Sequence, residues 1–402
     1  MRSFNKMSTW GQGAQTSRRA PRPRICMSTL RNLTSRAFRS ALYEAEDVLA
    51  EIDAVDLICL EAGQGLRIKE SWLRWPLYHD LSRKLIFLNP GLRKVRLSQE
   101  YDLFVAVCQD FWDLPYINAI DGWRDRCKTS VCWIDEMWAA SISGFKYCLH
   151  ALSRFDHIFV GCRGSVDTLS KAINRSCHWL PPAVDTLRFS PYPKPPARNI
   201  DVYSVGRRWE GVHRALLQAA RRKEIFYVYD TLRGAANTET YDNQQHRDLF
   251  ANLVKRSRYF EVAPSKMDTP QQTRGQVEVG YRYYEGAAAG AVMIGQVPDC
   301  DAFGEMFPWQ DAVIPIQSDG SDVCEVLARL DSDPGGVSAI SRRNAAESLL
   351  RHDWMYRWKE MFGLAGVEPF PGMAARERRL KELADLVSNA TDSDATVMPL
   401  VR

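Results

Sequence analysis

Continuous apolar runs of strand length recur along the first half of the chain, with helix-length stretches between them. Four of them read VDLICLEA at 55–62, YDLFVAVCQ at 101–109, SVCWID at 130–135 and HIFVGC at 157–162. Strands that are apolar at nearly every position are buried on both faces, which is typical of parallel sheets covered by helices. The pattern therefore predicts a parallel α/β unit, and it restricts the fold more than any other feature of the sequence.

A proline-rich segment interrupts this alternation, which then restarts. The segment PPAVDTLRFSPYPKPPAR at 181–198 cannot continue a helix or a central strand, so it predicts a hinge. The strand-like runs beyond it are NIDVYSVG, EIFYVYD, RYFEVAPS, AVMIG and DAVIPI. We therefore expect two α/β units that face each other across a cleft, with ligands bound outside the carboxyl ends of the strands.

Composition narrows the class of protein. The chain has 402 residues, of which 45% are hydrophobic and 25% are charged, as expected for a soluble protein of two domains. No window approaches the roughly 18 uninterrupted apolar residues of a membrane-spanning helix, and the N-terminus has no apolar signal-peptide core. The ten cysteines form no CxxC pair, which predicts reduced thiols in the cytoplasm rather than a zinc site or a disulfide framework.

The net charge of +4 has its origin at the N-terminus. Residues 1–39 hold nine Lys or Arg and no acid, which leaves 44 basic against 49 acidic residues in the rest of the chain. A mildly acidic body argues against a nucleic-acid partner. The basic arm is predicted to be disordered. It is either a dispensable extension or a peripheral contact with anionic lipid at the inner membrane face, where each basic residue contributes about 1 kcal/mol.

One stretch, EVGYRYYEGAAAGAVMIGQ at 278–296, places charges beside a patch of small residues. Thr273 and Gln276 have the spacing of a capping box, which predicts a helix over 274–290. The small residues suit a helix that is pressed against a sheet. The polar stripe of this helix is either a solvated face with i,i+4 pairs of about 0.2–0.5 kcal/mol each, or the lining of a cleft. Its members would be Arg274, Glu278, Arg282 and Glu285.

The segment RYYEGAAAG at 282–290 resembles the Arg-x-x-Glu signature, followed by small residues and Gly, of glycosyltransferases with the GT-B fold. The resemblance is to the group 1 and spore-maturation-type branch of these enzymes. Four other segments match that family in the expected order: LPPAVDTLRFSP at 180–191, VYSVGRR at 202–208, VAPS at 262–265 and RHDWMYR at 351–357. The resemblance covers residues 180–360, and it extends to the N-terminal half only by topology.

The resemblance implies two Rossmann-like domains with parallel sheets that face a cleft, and transfer of a sugar from a nucleotide-diphosphate sugar. We therefore predict six segments. They are a disordered basic arm at 1–23, an N-terminal acceptor-side domain at 24–185, a proline-rich hinge at 186–198, a C-terminal nucleotide-sugar-binding domain at 199–350, C-terminal helices at 351–388 that can pack back on the first domain, and a disordered tail at 389–402.

The donor site that the resemblance implies falls on strand ends and on the predicted helix. Arg207 would pair with the diphosphate, since a guanidinium binds phosphate oxygens bidentately, and Glu285 would accept hydrogen bonds from the two ribose hydroxyls. The lysine that usually follows the family's Gly-Arg pair is missing, and Arg208 or Lys266 would substitute for it. The predicted donor-binding residues are Gly206, Arg207, Arg208, Ser265, Lys266, Arg282, Tyr284 and Glu285.

Carboxylates are the candidates for catalysis. Asp135 and Glu136 end a buried strand, where they would deprotonate an acceptor hydroxyl or stabilise positive charge on the sugar; alternatively they are a helix cap and a surface acid. Glu278 is a third candidate, although the family separates its two glutamates by seven residues and only six separate Glu278 from Glu285. Glu61 is a weaker candidate, and the family-like His352 is interpreted as structural.

This interpretation needs no metal and no cofactor besides the donor substrate, and the Asp299–Asp301 pair is interpreted as a loop cap rather than a metal site. The sequence thus predicts a cytoplasmic hexosyltransferase of polysaccharide biosynthesis, with a glycan, a lipid-linked molecule or a small molecule as acceptor. The alternatives are a non-catalytic GT-B-like protein that binds sugar nucleotides or assembly partners, and a nucleotide-sugar epimerase or phosphorylase, because a fold does not determine a function.

Overall fold

A parallel sheet of six strands forms the centre of the N-terminal domain in the computed structural model, which describes residues 22–64, 66, 69, 83–231 and 238–390. The strand order is β2-β1-β4-β6-β7-β8, and a separate pair of short strands, β3 and β5, lies beside it. The strands are β1 Ile25–Thr29, β2 Val55–Cys59, β3 Val95–Arg96, β4 Tyr101–Cys108, β5 Ile120–Asp121, β6 Cys127–Ile134, β7 His157–Val160 and β8 His178–Trp179. The four apolar runs of the first half therefore form strands of one parallel sheet, as predicted.

Helices cover both faces of this sheet. On one face, Leu42 and Leu49 of α1 belong to the same apolar cluster as Met27 of β1 and Val105 of β4. The apolar side chains of the opposite face form a second cluster, which explains why the strands do not alternate. The helices up to the hinge are α1 Ser40–Ile52, α2 Trp123–Arg126, α3 Ala139–Ile142, α4 Lys146–Leu149, α5 Val166–Ile173 and α6 Thr186–Phe189.

The C-terminal domain has a second parallel sheet, in the order β10-β9-β11-β12-β13. Its strands are β9 Ile200–Ser204, β10 Tyr227–Tyr229, β11 Ser257–Val262, β12 Val292–Gly295 and β13 Ile314–Pro315. Its helices are α7 Glu210–Arg221, α8 Asn243–Lys255, α9 Pro270–Thr273, α10 Tyr281–Ala288, α11 Asp301–Met306, α12 Val323–Asp331 and α13 Pro334–Arg351. None of the helices within the described ranges has the length and the apolar character to cross a membrane.

The last two helices, α14 Trp354–Ala365 and α15 Pro371–Asn389, return to the N-terminal domain. The rings of Trp354 and Trp358 lie 5.5 and 6.0 Å from the ring of Trp133 on β6. Trp358 also donates a hydrogen bond of 2.9 Å to the carbonyl oxygen of Ala45 in α1. The end of the chain therefore completes the core of the first domain.

The two places where the chain passes between the domains are hydrogen-bonded to each other. The N–H of Val184 donates to the carbonyl oxygen of His352 at 3.0 Å, and the N–H of Trp354 donates to the carbonyl oxygen of Val184 at 3.2 Å. The start of the proline-rich hinge is thus tied to the return crossing.

The prediction of one helix over 274–290 is wrong for the first half of that range. The short helix α9 ends at Thr273, and Arg274 then takes a left-handed φ of 47°. The chain runs on without helical structure until α10 begins at Tyr281. Thr273 is the last residue of a helix rather than a cap, so Glu278 lies in a connecting segment and not on the polar stripe of α10.

Candidate active site

The carboxyl ends of the two sheets meet across the cleft. The Nζ atom of Lys266, which follows β11, lies 2.5 Å from Oε1 of Glu136, which follows β6. The hydroxyl of Tyr281, at the start of α10, donates a hydrogen bond of 2.6 Å to Oδ1 of Asp135. The edges of the sheets where ligands bind in α/β proteins therefore face each other.

The loop after β9 supplies cationic groups on the C-terminal side. Gly206 has a φ of 76°, which residues with a Cβ rarely adopt, and its N–H donates to the carboxylate of Asp230. Arg208 is held nearby, because it donates to the carbonyl oxygen of Asp230 at 2.7 Å. Arg207 forms an ion pair with Asp268, and its side chain is 43% exposed. Arg207 is thus the more accessible of the two arginines.

Arg282 approaches the same place from α10. A Cβ built on Gly206 would lie 3.7 Å from its Nη2, and 35% of its side chain is exposed. Lys266 lies in the same loop as Asp268, the partner of Arg207, and Ser265 precedes it with its N–H bonded to a carbonyl oxygen. The structure thus brings together four of the predicted residues, which we call the basic edge: Gly206, Arg207, Lys266 and Arg282.

Glu285 lies behind Arg282 and is bound by two arginines. Its Oε1 accepts a hydrogen bond from Nη1 of Arg247 and its Oε2 accepts one from Nη1 of Arg282, each at 2.5 Å. Only 1% of Glu285 is exposed. Burial alone would raise its pKa, but the charges of Arg282 and Arg247 outweigh burial and hold the pKa below its usual value. The contact with ribose that the resemblance implies stays a prediction.

Sequence reasoning missed Arg247 and its partner Glu44. Arg247 of α8 binds the carboxylate of Glu44 in α1 through Nε at 2.8 Å and Nη2 at 3.0 Å. Glu44 also accepts hydrogen bonds from the backbone N–H of Asp185 and from the indole of Trp354. The two partners are 203 positions apart, so no local pattern connects them. The only local signal is a charged residue on the buried side of each helix.

Tyr284 does not belong to the basic edge, and its prediction as a donor-binding residue is not supported. Its side chain is fully buried, and its ring packs against Phe307 and His352 with centroid distances of 5.1 and 4.8 Å. Tyr283 is buried as well, so both residues lie on the side of α10 that faces the core. The family-like His352 is itself buried, and burial lowers its pKa well below the ordinary value, in agreement with a structural role.

Asp135 ends β6 on the N-terminal side of the cleft, and it is enclosed. Its carboxylate accepts a hydrogen bond from Nε2 of Gln109 at 3.0 Å in addition to the one from Tyr281. Burial raises the pKa of Asp135 to about 7, although the hydrogen bond from Tyr281 opposes this shift. Near neutral pH the group therefore exchanges a proton, which a general base must do.

Glu136 and Asp110 complete the acidic side of the cleft. Glu136 keeps a third of its side chain exposed, and the indole of Trp138 donates to it at 2.9 Å. Asp110, which the sequence reasoning missed, lies two residues after the end of β4, and burial together with the charge of Asp113 raises its pKa to about 6. Its signal was the same as that of Asp135, an acid at the end of a buried strand. We call Asp110, Asp135 and Glu136 the acidic edge.

Glu278 binds the N-terminal domain rather than the interior of the basic edge. It accepts hydrogen bonds from the backbone N–H groups of Arg163 at 3.1 Å and Gly164 at 2.8 Å, and from Nε2 of Gln276 at 2.6 Å. The amide of Gln276 also accepts from the N–H of Ala139 at 3.0 Å. Burial raises the pKa of Glu278. These bonds across the cleft explain why the segment before α10 is not helical.

The weaker candidates lie apart from these groups. Glu61 is half exposed and paired with Arg93 at 2.8 Å. Asp299 and Asp301 are exposed, before and at the start of α11. Across residues 22–64, 83–231 and 238–390, no three His, Cys, Asp or Glu side chains are arranged to hold a metal ion.

Comparison with known proteins agrees with this architecture. Residues 197–363 match the family described as glycosyl transferase-like. An α,α-trehalose-phosphate synthase (UDP-forming) from Burkholderia vietnamiensis is similar over 92% of this chain and 99% of its own, with 12% identity and a TM-score of 0.50. An α-glucosyltransferase (AGT) in complex with UDP is similar over 85% of this chain and 99% of its own, also with 12% identity and a TM-score of 0.50. No curated protein sequence matches the chain.

The chain has the GT-B fold of glycosyltransferases, with two Rossmann-like domains whose parallel sheets face a cleft. Within it, residues 197–363 match the glycosyl transferase-like family model, and this region contains the whole basic edge. The fold class and the family resemblance predicted from the sequence are both confirmed.

Proposed function

We propose that the protein is a hexosyltransferase that moves a sugar from a nucleotide-diphosphate sugar to a glycan, a lipid-linked molecule or a small-molecule acceptor. The observation that carries this proposal is the placement of the basic edge opposite the acidic edge, with Lys266 and Glu136 in contact between them. A diphosphate leaving group needs cations, and an acceptor hydroxyl needs a proton acceptor. The two edges supply these groups on opposite sides of one cleft.

In the transfer, the bond between the anomeric carbon and the diphosphate oxygen breaks, and the acceptor oxygen bonds to that carbon. Arg207, Arg282 and Lys266 would donate hydrogen bonds to the departing diphosphate, at about 1.5–3 kcal/mol for each charged contact. The proton of the acceptor hydroxyl passes to a carboxylate. Glu136 is the better placed acid in this conformation because Asp135 is enclosed by Gln109 and Tyr281.

The donor base, the need for a metal and the place of action are further parts of the proposal. The two structural relatives are described as UDP-forming and as bound to UDP, so we choose UDP as the first nucleotide to test. We propose that transfer needs no metal ion or other cofactor. We also propose that the protein acts in the cytoplasm in polysaccharide biosynthesis, with its basic arm against anionic lipid; residues 1–21 of that arm lie outside the described residues.

Nucleotide binding and turnover test the proposal together. We would measure the melting temperature with UDP, GDP and ADP, because a ligand at 100 times its dissociation constant stabilises the folded protein by about 2.7 kcal/mol. The nucleotide that stabilises would then be supplied as its sugar conjugate, and release of the diphosphate would be followed in the presence of glycan acceptors. Absence of stabilisation by all three nucleotides would contradict the proposal.

A second candidate is a non-catalytic protein that binds sugar nucleotides. The observation in its favour is that Asp135 and Glu278 are both engaged in hydrogen bonds across the cleft, and that Glu136, which keeps a third of its side chain exposed, is paired with Lys266. Nucleotide binding without diphosphate release, from any sugar conjugate of the nucleotide that binds, would favour this candidate over the enzyme.

A further inference from the structure

Both carboxylate oxygens of Glu285 are occupied by guanidinium groups of the protein itself. Oε1 accepts from Arg247 and Oε2 accepts from Arg282, and the side chain has almost no accessible surface. A residue that binds the two hydroxyls of a ribose must present both oxygens to the ligand. The geometry of Glu285 is the opposite, since its carboxylate is enclosed between buried Arg247 and partly exposed Arg282.

We propose that Glu285 is a positioning residue that aims the guanidinium of Arg282 at the diphosphate, and that it does not contact the ribose. This inference rests on the proposed function and specifies how the basic edge is held. Arg282 is the partner that can reach a ligand, because about a third of its side chain is exposed and its Nη2 is next to the backbone of Gly206. An arginine loses much side-chain freedom when it is fixed, and its pairing with Glu285 removes that freedom before the ligand binds.

The support of Glu285 continues into the other domain. Arg247 holds Oε1 of Glu285 with one nitrogen, and with two others it holds Glu44 of α1. Glu44, Arg247 and Glu285 are all nearly inaccessible to solvent. Removing one partner of a buried ion pair leaves an uncompensated charge, so the members hold each other in place. The orientation of Arg282 therefore depends on a chain of ion pairs that ends in the N-terminal domain.

Inorganic pyrophosphate and three nucleotide probes test this inference. Calorimetry would compare wild type and Glu285→Gln for pyrophosphate, UDP, 2′-deoxy-UDP and uridine. We expect Glu285→Gln to weaken binding of pyrophosphate and UDP by about tenfold, since one charged hydrogen bond is worth about that much. Uridine affinity and the ratio of UDP to 2′-deoxy-UDP should not change. Unchanged pyrophosphate binding with loss of the 2′-hydroxyl preference would overturn the inference and restore the ribose contact.

A remote variant keeps the test valid if Glu285→Gln does not fold. Arg247→Lys retains the charge at a buried position away from the basic edge, but it cannot hold Glu44 and Glu285 at the same time with fixed geometry. We expect a severalfold loss of pyrophosphate affinity, with uridine unchanged. The matched control is Arg376→Lys, another buried arginine, which binds the carboxylates of Asp185, Asp353 and Glu51; it should lower the melting temperature but not pyrophosphate affinity.

The outcomes separate this inference from the proposed function. If wild type binds pyrophosphate but no nucleoside diphosphate, the proposed function fails while the pyrophosphate comparison still decides the role of Glu285. If wild type binds UDP and neither Glu285→Gln nor Arg247→Lys alters pyrophosphate affinity, the inference fails and the proposed function remains. If wild type does not bind pyrophosphate, the inference is overturned because there is no anion for Arg282 to meet.

Discussion

The hydroxyl of Tyr281 donates a hydrogen bond of 2.6 Å to Asp135, and this bond joins the first residue of α10 to the end of β6 in the other domain. One of the two residues begins the helix that carries Arg282, and the other is an acid with a pKa of about 7. Contact between the domains and the protonation of a candidate base are therefore linked at a single pair of side chains.

We predict that Asp135 makes the protein less stable as the pH rises from about 4 to about 7. In the folded protein the pKa of Asp135 is raised above the ordinary value of about 3.9, so the folded state binds the proton more tightly than the unfolded state does. The stability that this proton contributes is therefore lost as the pH rises through about 7. Asp135→Asn keeps a neutral side chain, and its free energy of unfolding relative to wild type should increase between pH 5 and pH 8. Urea denaturation at both values measures this difference.

The control for this experiment is Tyr281→Phe. It keeps the carboxyl group but removes the hydrogen bond that opposes the raised pKa, so the fall in stability with pH should persist and become no smaller. A difference between wild type and Asp135→Asn that is equal at pH 5 and pH 8 would show that Asp135 is ionised at both.

Arg207 should bind the diphosphate of the donor. Arg207→Ala should weaken UDP binding by more than tenfold and leave uridine binding nearly unchanged, because a charged hydrogen bond contributes about 1.5–3 kcal/mol. Calorimetry with the two ligands measures the contrast. The matched control is Arg222→Ala, an exposed arginine paired with Glu224 at the end of α7, which should alter neither. Equal weakening of UDP and uridine would remove Arg207 from the phosphate site.

Transfer should not depend on a divalent cation. The double variant Asp299→Ala, Asp301→Ala should keep its activity, and turnover should survive EDTA, because these exposed aspartates are interpreted as a loop cap. The measurement is diphosphate release before and after chelation. Loss of turnover that Mn²⁺ or Mg²⁺ restores would refute this prediction.

Glu278 should stabilise the contact between the domains. Glu278→Ala leaves the backbone N–H groups of Arg163 and Gly164 without their acceptor, which should lower the free energy of unfolding by about 1–3 kcal/mol. Glu305→Ala is the control, since it removes a solvent-exposed ion pair with Arg163 and should cost less than about 1 kcal/mol. Urea denaturation compares the two; equal losses would mean that Glu278 is no more than a surface contact.

The fold could be predicted from the sequence because the burial of a strand is visible in its own residues. Runs such as 101–109 are apolar at nearly every position, and that pattern distinguishes a buried parallel strand from an alternating one. The ends of those strands also located the acidic and basic edges. The same rule predicts Asp110, because this acid comes directly after the apolar run 101–109.

The parts that could not be predicted depend on contacts between distant residues. Residues 273–276 have the sequence of a capping box. However, Gln276 and Glu278 form hydrogen bonds with Ala139 and Gly164, which are more than 100 positions away in the chain. Those bonds stabilise a non-helical segment that local propensity does not favour. The pairing of Arg247 with Glu44 is of the same kind, and it changes what the motif residue Glu285 is able to do.

The hydrogen bonds between Val184 and the His352–Trp354 segment have a consequence for how the cleft opens. A domain joined by one flexible linker can reorient freely. Here the segment that leaves the first domain at Val184 and the segment that returns at 352–354 are hydrogen-bonded to each other. We expect the two segments to act together as one hinge, so that the C-terminal domain rotates about a single axis and does not separate or twist freely. Dividing the chain at residue 198 would separate the two segments of this hinge. It would also remove the indole rings of α14 from their contact with Trp133, because α14 would then belong to the other fragment.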